Sequence, residues 1–169
     1  TLGGNGTHKT ANMLSQEGLN VIGLPKTIDN DIFGTDFTFG FHTAVDIATD
    51  VIDRIHTTAA SHNRVMVVEI MGNKAGWLTL YAGLAGGADA ILIPELPYEI
   101  EKVAEVIEKR STENKNFTII AVAEGAMDVE EAHMKRKERE DKRKEEGTNF
   151  ISVRIANQLR DMLNVEART

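Results

Sequence analysis

The segment Phe117-Thr118-Ile119-Ile120-Ala121-Val122-Ala123 carries almost no polar side chain along its length. A strand with water on one side alternates apolar and polar residues, so a run without alternation is covered on both faces. Arg64–Met71 is of the same kind, Ala90–Pro94 reads as a further buried strand, and Val21–Leu24 as a short one. Between them lie stretches of helical period. These are Thr7–Glu17, ending at Gly18; about His42–His56, with Val45, Ala48, Ile52 and Ile55 on one face; and Ala75–Ala85. Two more follow, Glu99–Arg110 with Val103, Val106 and Ile107 inward, and Ile151–Leu163 with Ile151, Ile155, Leu159 and Met162. Strands that alternate with helices in this way predict an α/β fold built on a parallel sheet.

Ligands of such folds gather beyond the carboxyl ends of the strands. The unusual residues of this chain stand at those positions: Lys26-Thr27-Ile28-Asp29-Asn30-Asp31 after Val21–Leu24, Gly72-Asn73-Lys74 after Arg64–Met71, and Glu124-Gly125 after Phe117–Ala123. The three turns are expected to line one rim. A fourth turn, Gly3-Gly4-Asn5-Gly6-Thr7, opens the first helix. There glycines let the backbone approach an anion, and the first free N–H groups of the helix point at it. Thr7 offers either a hydroxyl to a ligand or a cap to the helix. The plainer alternative is an ordinary strand-to-helix connection.

Asp29 and Asp31 are two apart, and in an extended segment such residues face the same way while Ile28 packs away. One carboxylate can then take a proton from a hydroxyl nucleophile as the other holds a divalent cation, with Lys26 neutralising a phosphate. An Asx-type turn closing the loop explains Asp-Asn-Asp equally well. Gly72–Gly76 offers helix N–H groups and the Lys74 cation, and Glu124 either accepts sugar hydroxyls or caps a helix. The run Met134–Lys144 interleaves acids with bases, and Glu138–Lys142 and Glu140–Lys144 have helix-favouring spacing, so it is read as a solvated helix. His8, His42, His56, His62 and His133 lack metal-ligand spacing and are read as structural.

Composition narrows the class. With 169 residues, 41% of them hydrophobic, the chain can bury a core. Its net charge of −7 disfavours a nucleic-acid partner. The absence of cysteine removes disulfides and thiolate chemistry. No apolar run approaches the ~18 residues of a membrane span and no signal core is visible, so a cytoplasmic location is expected.

Several segments together resemble the phosphofructokinase family. Gly3–Thr7 is similar to its G-G-D-G-[ST] turn, Pro25–Ile32 to P-x-T-I-D-N-D-I, and Glu69–Gly72 to E-V-M-G. Ala85–Ala88, Pro94-Glu95, Glu124-Gly125 and Glu166–Thr169 follow in the expected order. The resemblance implies a partial Rossmann-like three-layer α/β sandwich. Residues 1–40 would be the end of a phosphate-donor domain, and residues 41–169 most of a sugar-phosphate-binding domain. It implies phosphoryl transfer from ATP, with Mg²⁺, to the 1-hydroxyl of fructose 6-phosphate in a homodimer or homotetramer. By that similarity Asp29 is the general base with Thr27 beside it. Asp31 and Asn5 hold the metal, and Gly4, Asn5, Gly6 and Thr7 cradle the donor. Met71, Gly72, Asn73 and Glu124 meet the sugar, while Arg64 and Arg168 reach the 6-phosphate of a neighbouring subunit.

Departures from the pattern bear on the donor. Asn5 stands in place of an aspartate, and Asn73 in place of an arginine that stabilises the transferring phosphate. Lys26 is the residue of pyrophosphate-dependent members, whereas Gly6 is the ATP-type choice. The expectation is that Gly6 decides for ATP and that Lys26 supplies the cation missing at Asn73. Pyrophosphate as donor is the alternative, and a non-catalytic regulatory homologue a further one. Because Thr1-Leu2 leaves no room for a strand before the glycine turn, the chain is read as the middle of a longer one and expected to be inactive alone.

Overall fold

The computed structural model covers residues 1–169 and contains two parallel sheets. Strand β1 (Leu2–Gly3) leads into helix α1 (Asn5–Gln16) and pairs with β2 (Leu24–Pro25), Leu2 opposite Leu24. Helix α2 (Phe41–His62) then enters the larger unit. There β3 (Val65–Ile70), α3 (Trp77–Ala85), β4 (Ala90–Leu92), α4 (Ile100–Thr112) and β5 (Thr118–Ala123) follow in turn. The short α5 (Val129–Ala132), α6 (Arg136–Glu145), α7 (Ile151–Leu163) and a final β6 (Ala167–Arg168) complete the chain. The strands of the second sheet lie in the order β4-β5-β3-β6, all parallel.

The unalternating apolar strand is explained by what covers it. Ile120 and Val122 of β5 pack with Val103, Ile107, Ile155 and Leu159 of α4 and α7. Ile119 and Ala121, pointing the other way, pack with Ile52, Leu78 and Ala82 of α2 and α3. Helices on both faces of a parallel sheet are the three-layer sandwich expected from the pattern. Helix α7 keeps its expected limits. Helix α2 runs one and a half turns past His56, because nothing in Thr57–His62 breaks a helix until Asn63, which takes the left-handed conformation (φ 53°).

Two expectations fail here. Val21–Leu24 is not a buried strand: only Leu24–Pro25 pairs, and Ile22 is 79% exposed. Its apolar residues belong to a two-stranded sheet with a single helix against it, which has nothing with which to cover them. The other is that Thr1-Leu2 leaves no room for a strand before the glycine turn: Leu2–Gly3 forms one, because two residues suffice to pair with the edge of Leu24–Pro25. Ala167–Arg168, too short to carry a period, likewise forms a strand because β3 offers it an edge.

Candidate active site

The glycine turn and the aspartate loop meet. Helix α1 begins at Asn5, earlier than the expected Thr7, with Gly4 as N-cap; Asn5, Gly6 and Thr7 therefore form its first turn, with N–H groups free of helical partners. Thr7 does not cap. Its side chain instead fills the space over Gly3, where a Cβ would sit 2.2 Å from the Thr7 hydroxyl oxygen. Gly4 faces Thr27, whose Cβ lies 3.8 Å from where a side chain on Gly4 would begin, and the Asn5 amide donates to Asp31 Oδ2 at 3.4 Å. In the same loop Thr27 Oγ1 donates to Asp29 Oδ2 at 3.3 Å.

The aspartates are not set by an extended backbone, which corrects the expected geometry. Asn30 between them is left-handed (φ 53°), and its side-chain oxygen accepts from the Thr38 N–H at 2.9 Å. Thr38 Oγ1 in turn donates to the Thr27 carbonyl at 2.7 Å, and the Phe39 N–H to Pro25 at 2.8 Å. The loop is thus braced by Asn30 across eight residues, a longer closure than the local Asx-type turn of the plainer alternative, with Asp29 and Asp31 on either side of the brace. Ile28 packs away from them into the α2 side of the core, in a groove it shares with Met71. Lys26 is exposed, without an ionic partner, and bridges to Phe39 through its backbone.

The second and third turns adjoin at the carboxyl ends of β3 and β5. The Glu124 N–H donates to the Ile70 carbonyl at 2.9 Å, and the Gly125 N–H to Gly72 at 3.1 Å. A Cβ on Gly125 would lie 2.0 Å from the Asn73 carbonyl oxygen, so only glycine lets the two turns come together. They line a polar cleft of about 380 Å³ with Lys74, Glu95 and one face of α6. The Thr27–Asp31 loop sits on the other sheet, and its link to this rim is the Ile28–Met71 groove. One rim formed by all three turns is therefore replaced by two rims. Arg64 and Arg168 lie elsewhere, before β3 and on β6, and share Glu166 at 2.8 and 3.0 Å. Arg64 first, then Arg168, hold the Glu166 carboxyl below its ordinary value. The length of β3 separates Arg64 from Met71 by about 20 Å.

The phosphofructokinase family model matches residues 1–169. The chain belongs to the phosphofructokinase family. It is 66% identical over 133 residues to the ATP-dependent 6-phosphofructokinase of Spirochaeta thermophila, covering 79% of this chain and 36% of that protein. It is 60% identical over 131 residues to the ATP-dependent 6-phosphofructokinase of Propionibacterium freudenreichii, covering 78% and 35%. This phosphofructokinase-family chain therefore spans about a third of the length of such curated relatives. In fold it resembles the pyrophosphate-dependent phosphofructokinase of Nitrosospira multiformis, with a TM-score of 0.80 at 22% identity over 98% of this chain and 42% of that one.

Sequence reasoning missed one wall of the polar cleft. The charged run read as a solvated helix is α6, and α6 is pinned. Glu131, with no exposed surface, accepts from Arg143 Nε at 2.9 Å and Nη2 at 2.8 Å, and Arg154 Nη1 lies 2.8 Å away. Arg154 also meets Asp128 and Glu146 at 2.8 Å, and Lys142 meets Glu130 at 2.6 Å. The expected Glu138–Lys142 pair does not form, because Glu138 caps the Lys135 N–H at 2.8 Å, and Glu140 pairs with Arg136 instead of Lys144. Burial works against ionisation of Glu131, yet the Arg143 and Arg154 guanidiniums outweigh it and hold the carboxyl below its ordinary value. The signal that could have exposed this is Arg154, a charge placed on the inward face of α7 beside Ile151 and Ile155.

One oxygen donor of the kind Mg²⁺ takes, the Asp31 carboxylate, stands at the junction of the two turns. The ion prefers oxygen ligands from one or two carboxylates and completes its shell with water and phosphate. Asp31 offers an exposed carboxylate beside the glycine turn, and Asn5, also exposed, turns its amide nitrogen rather than its carbonyl oxygen toward it, so the Asn5 amide would have to turn over for both residues to offer oxygens to one ion. No helix is long and apolar enough to cross a membrane.

Proposed function

We propose that this chain carries part of the catalytic machinery of an ATP-dependent 6-phosphofructokinase, which transfers a phosphoryl group to the 1-hydroxyl of fructose 6-phosphate and gives fructose 1,6-bisphosphate. The observation that carries the reading is the junction of the glycine turn with the Thr27–Asp31 loop, through Gly4 against Thr27 and Asn5 on Asp31. An anion cradle of helix N–H groups and a carboxylate able to accept a hydroxyl proton then lie side by side, which is what in-line phosphoryl transfer needs. The names of the relatives at 60% and 66% identity support ATP as the donor.

In this reading Asp29 takes the proton of the sugar hydroxyl, with Thr27 holding its carboxylate in place. Gly4, Asn5, Gly6 and Thr7 receive the donor phosphates on their N–H groups, and Lys26 adds the positive charge that Asn73 lacks. Asp31 and Asn5 hold Mg²⁺, which when bound neutralises charge on the phosphates. Met71, Gly72, Asn73 and Glu124 contact the sugar. Arg64 and Arg168, remote from that cleft in their own chain, serve the 6-phosphate of a neighbouring subunit in a homo-oligomer. Residues 1–40 form the donor side and residues 41–169 the sugar side. Pyrophosphate remains the second reading because of Lys26. Measuring fructose 1,6-bisphosphate formation by the full-length protein with ATP and, separately, with pyrophosphate tests both. Turnover with ATP at least tenfold above pyrophosphate is expected, and inactivity with both donors in Mg²⁺ would overturn the kinase reading.

A further inference from the structure

The cleft beyond β3, β4 and β5 is lined mostly by charged and polar side chains, and most of its charges are already engaged. Arg136 pairs with Glu140 at 2.7 Å, Arg143 is held by Glu131 at 2.8 Å, and Glu95 accepts from the Gly76 N–H at 2.8 Å. Three charged side chains make neither an ion pair nor a hydrogen bond to a nitrogen or oxygen of the protein: Lys74, Arg139 and Glu124. Arg139 is half-buried, and its guanidinium meets the Met127 sulfur, a weak acceptor. A chain with 26 acidic residues has no shortage of carboxylates, yet none answers this one. Two free cations converging on a polar cleft beside one free carboxylate match a ligand that has an anionic group at one end and hydroxyls at the other.

We propose that Lys74 and Arg139 form a phosphate-binding subsite beside Glu124, the carboxylate already assigned to the sugar, so that one phosphorylated ligand meets all three. The identity of that ligand rests on the phosphoryl-transfer reading; the phosphate contact does not. The fold pre-organises the subsite. Arg136, Arg139, Glu140 and Arg143 fall within about a third of the circumference of α6, and the Arg143–Glu131 and Lys142–Glu130 pairs fix that face over the cleft. Gly125 holds the turn bearing Lys74 against the turn bearing Glu124. With Asn73 neutral, the positive charge of this rim comes from Lys74 and from α6.

The first test is titration of the chain with inorganic phosphate, followed by amide chemical shifts. Saturable shifts at Lys74, Gly125 and Arg139 are expected. Binding should weaken about tenfold or more in Arg139→Met and in Lys74→Met, while Lys137→Met, altered beyond the edge of that helix face, leaves it unchanged. Equal affinity of Arg139→Met and the parent overturns the subsite; should that variant unfold, equal affinity of Lys74→Met does so. The second test is kinetic, in the full-length protein. Arg139→Met should raise the KM for fructose 6-phosphate at saturating donor if the phosphate is the sugar's, and the KM for the donor at saturating sugar if it is the donor's. Arg139→Lys should recover most of either change. An unchanged KM for both substrates rejects the proposal. Phosphate binding that depends on Arg139 in a protein with no turnover keeps the subsite and removes the kinase reading.

Discussion

The role proposed for Asp29 depends on a fixed position, which Thr27 and the Asn30 brace give it. Asp29→Asn keeps the shape of the side chain and removes its basicity, so turnover in the full-length protein should fall roughly 10²–10⁴-fold with little change in the KM for the sugar. A fall of less than threefold would mean that another group takes the proton. Lys26 has no ionic partner and an exposed side chain, so Lys26→Ala removes charge without removing packing. A decrease in turnover of at least about tenfold, or 1.4 kcal/mol, is expected if it replaces the cation absent at Asn73; a smaller one would leave Asn73 uncompensated from this side.

At the scale of elements, α6 has no buried residue, and ions rather than an apolar face bind it to the protein. Glu131 is the centre of that attachment. Glu131→Gln leaves two arginines beside a neutral group and should destabilise the protein by about 3–5 kcal/mol at neutral pH, read from urea unfolding. Its pH dependence follows from the direction of the shift. The folded carboxyl ionises below its ordinary value of 4.5, so its contribution is complete above that value and is lost as pH falls through the lowered one. The stability gap between parent and Glu131→Gln should therefore be constant from pH 8 to about pH 5 and close progressively in more acid solution. A gap that widened in acid would contradict the assigned pairing.

For the whole molecule, both faces of one sheet carry the core. Leu159 lies fully buried between α7 and the sheet, so Leu159→Ala should lower stability by about 2–5 kcal/mol, in a single transition if the layers unfold together. The smaller sheet buries little: Ala11 is the one buried residue of α1, and Ile22, Leu24 and Phe33 are exposed. Hydrogen exchange should accordingly be much faster in residues 1–40 than in β3 and β5. The chain alone is expected to give no turnover, since it spans about a third of the length of its curated relatives and the Arg64–Arg168 pair stands a strand length from the cleft of its own chain.

The order of strands and helices, the two-sided burial of β5 and the limits of α7 were legible in the sequence, because period and composition act over short distances along the chain. So was the family, through Pro25–Ile32 above all. The Asp29–Asp31 pair was found for a reason that did not hold, since a left-handed Asn30 and its bond to Thr38, eight residues on, set the turn. Nor could local pattern show that α6 is a fixed wall of the cleft. That depends on Arg143 meeting Glu131, and Arg154 meeting Asp128, across breaks between helices. A charged residue looks alike in sequence whether water or a partner solvates it, and only the tertiary structure decides which it has.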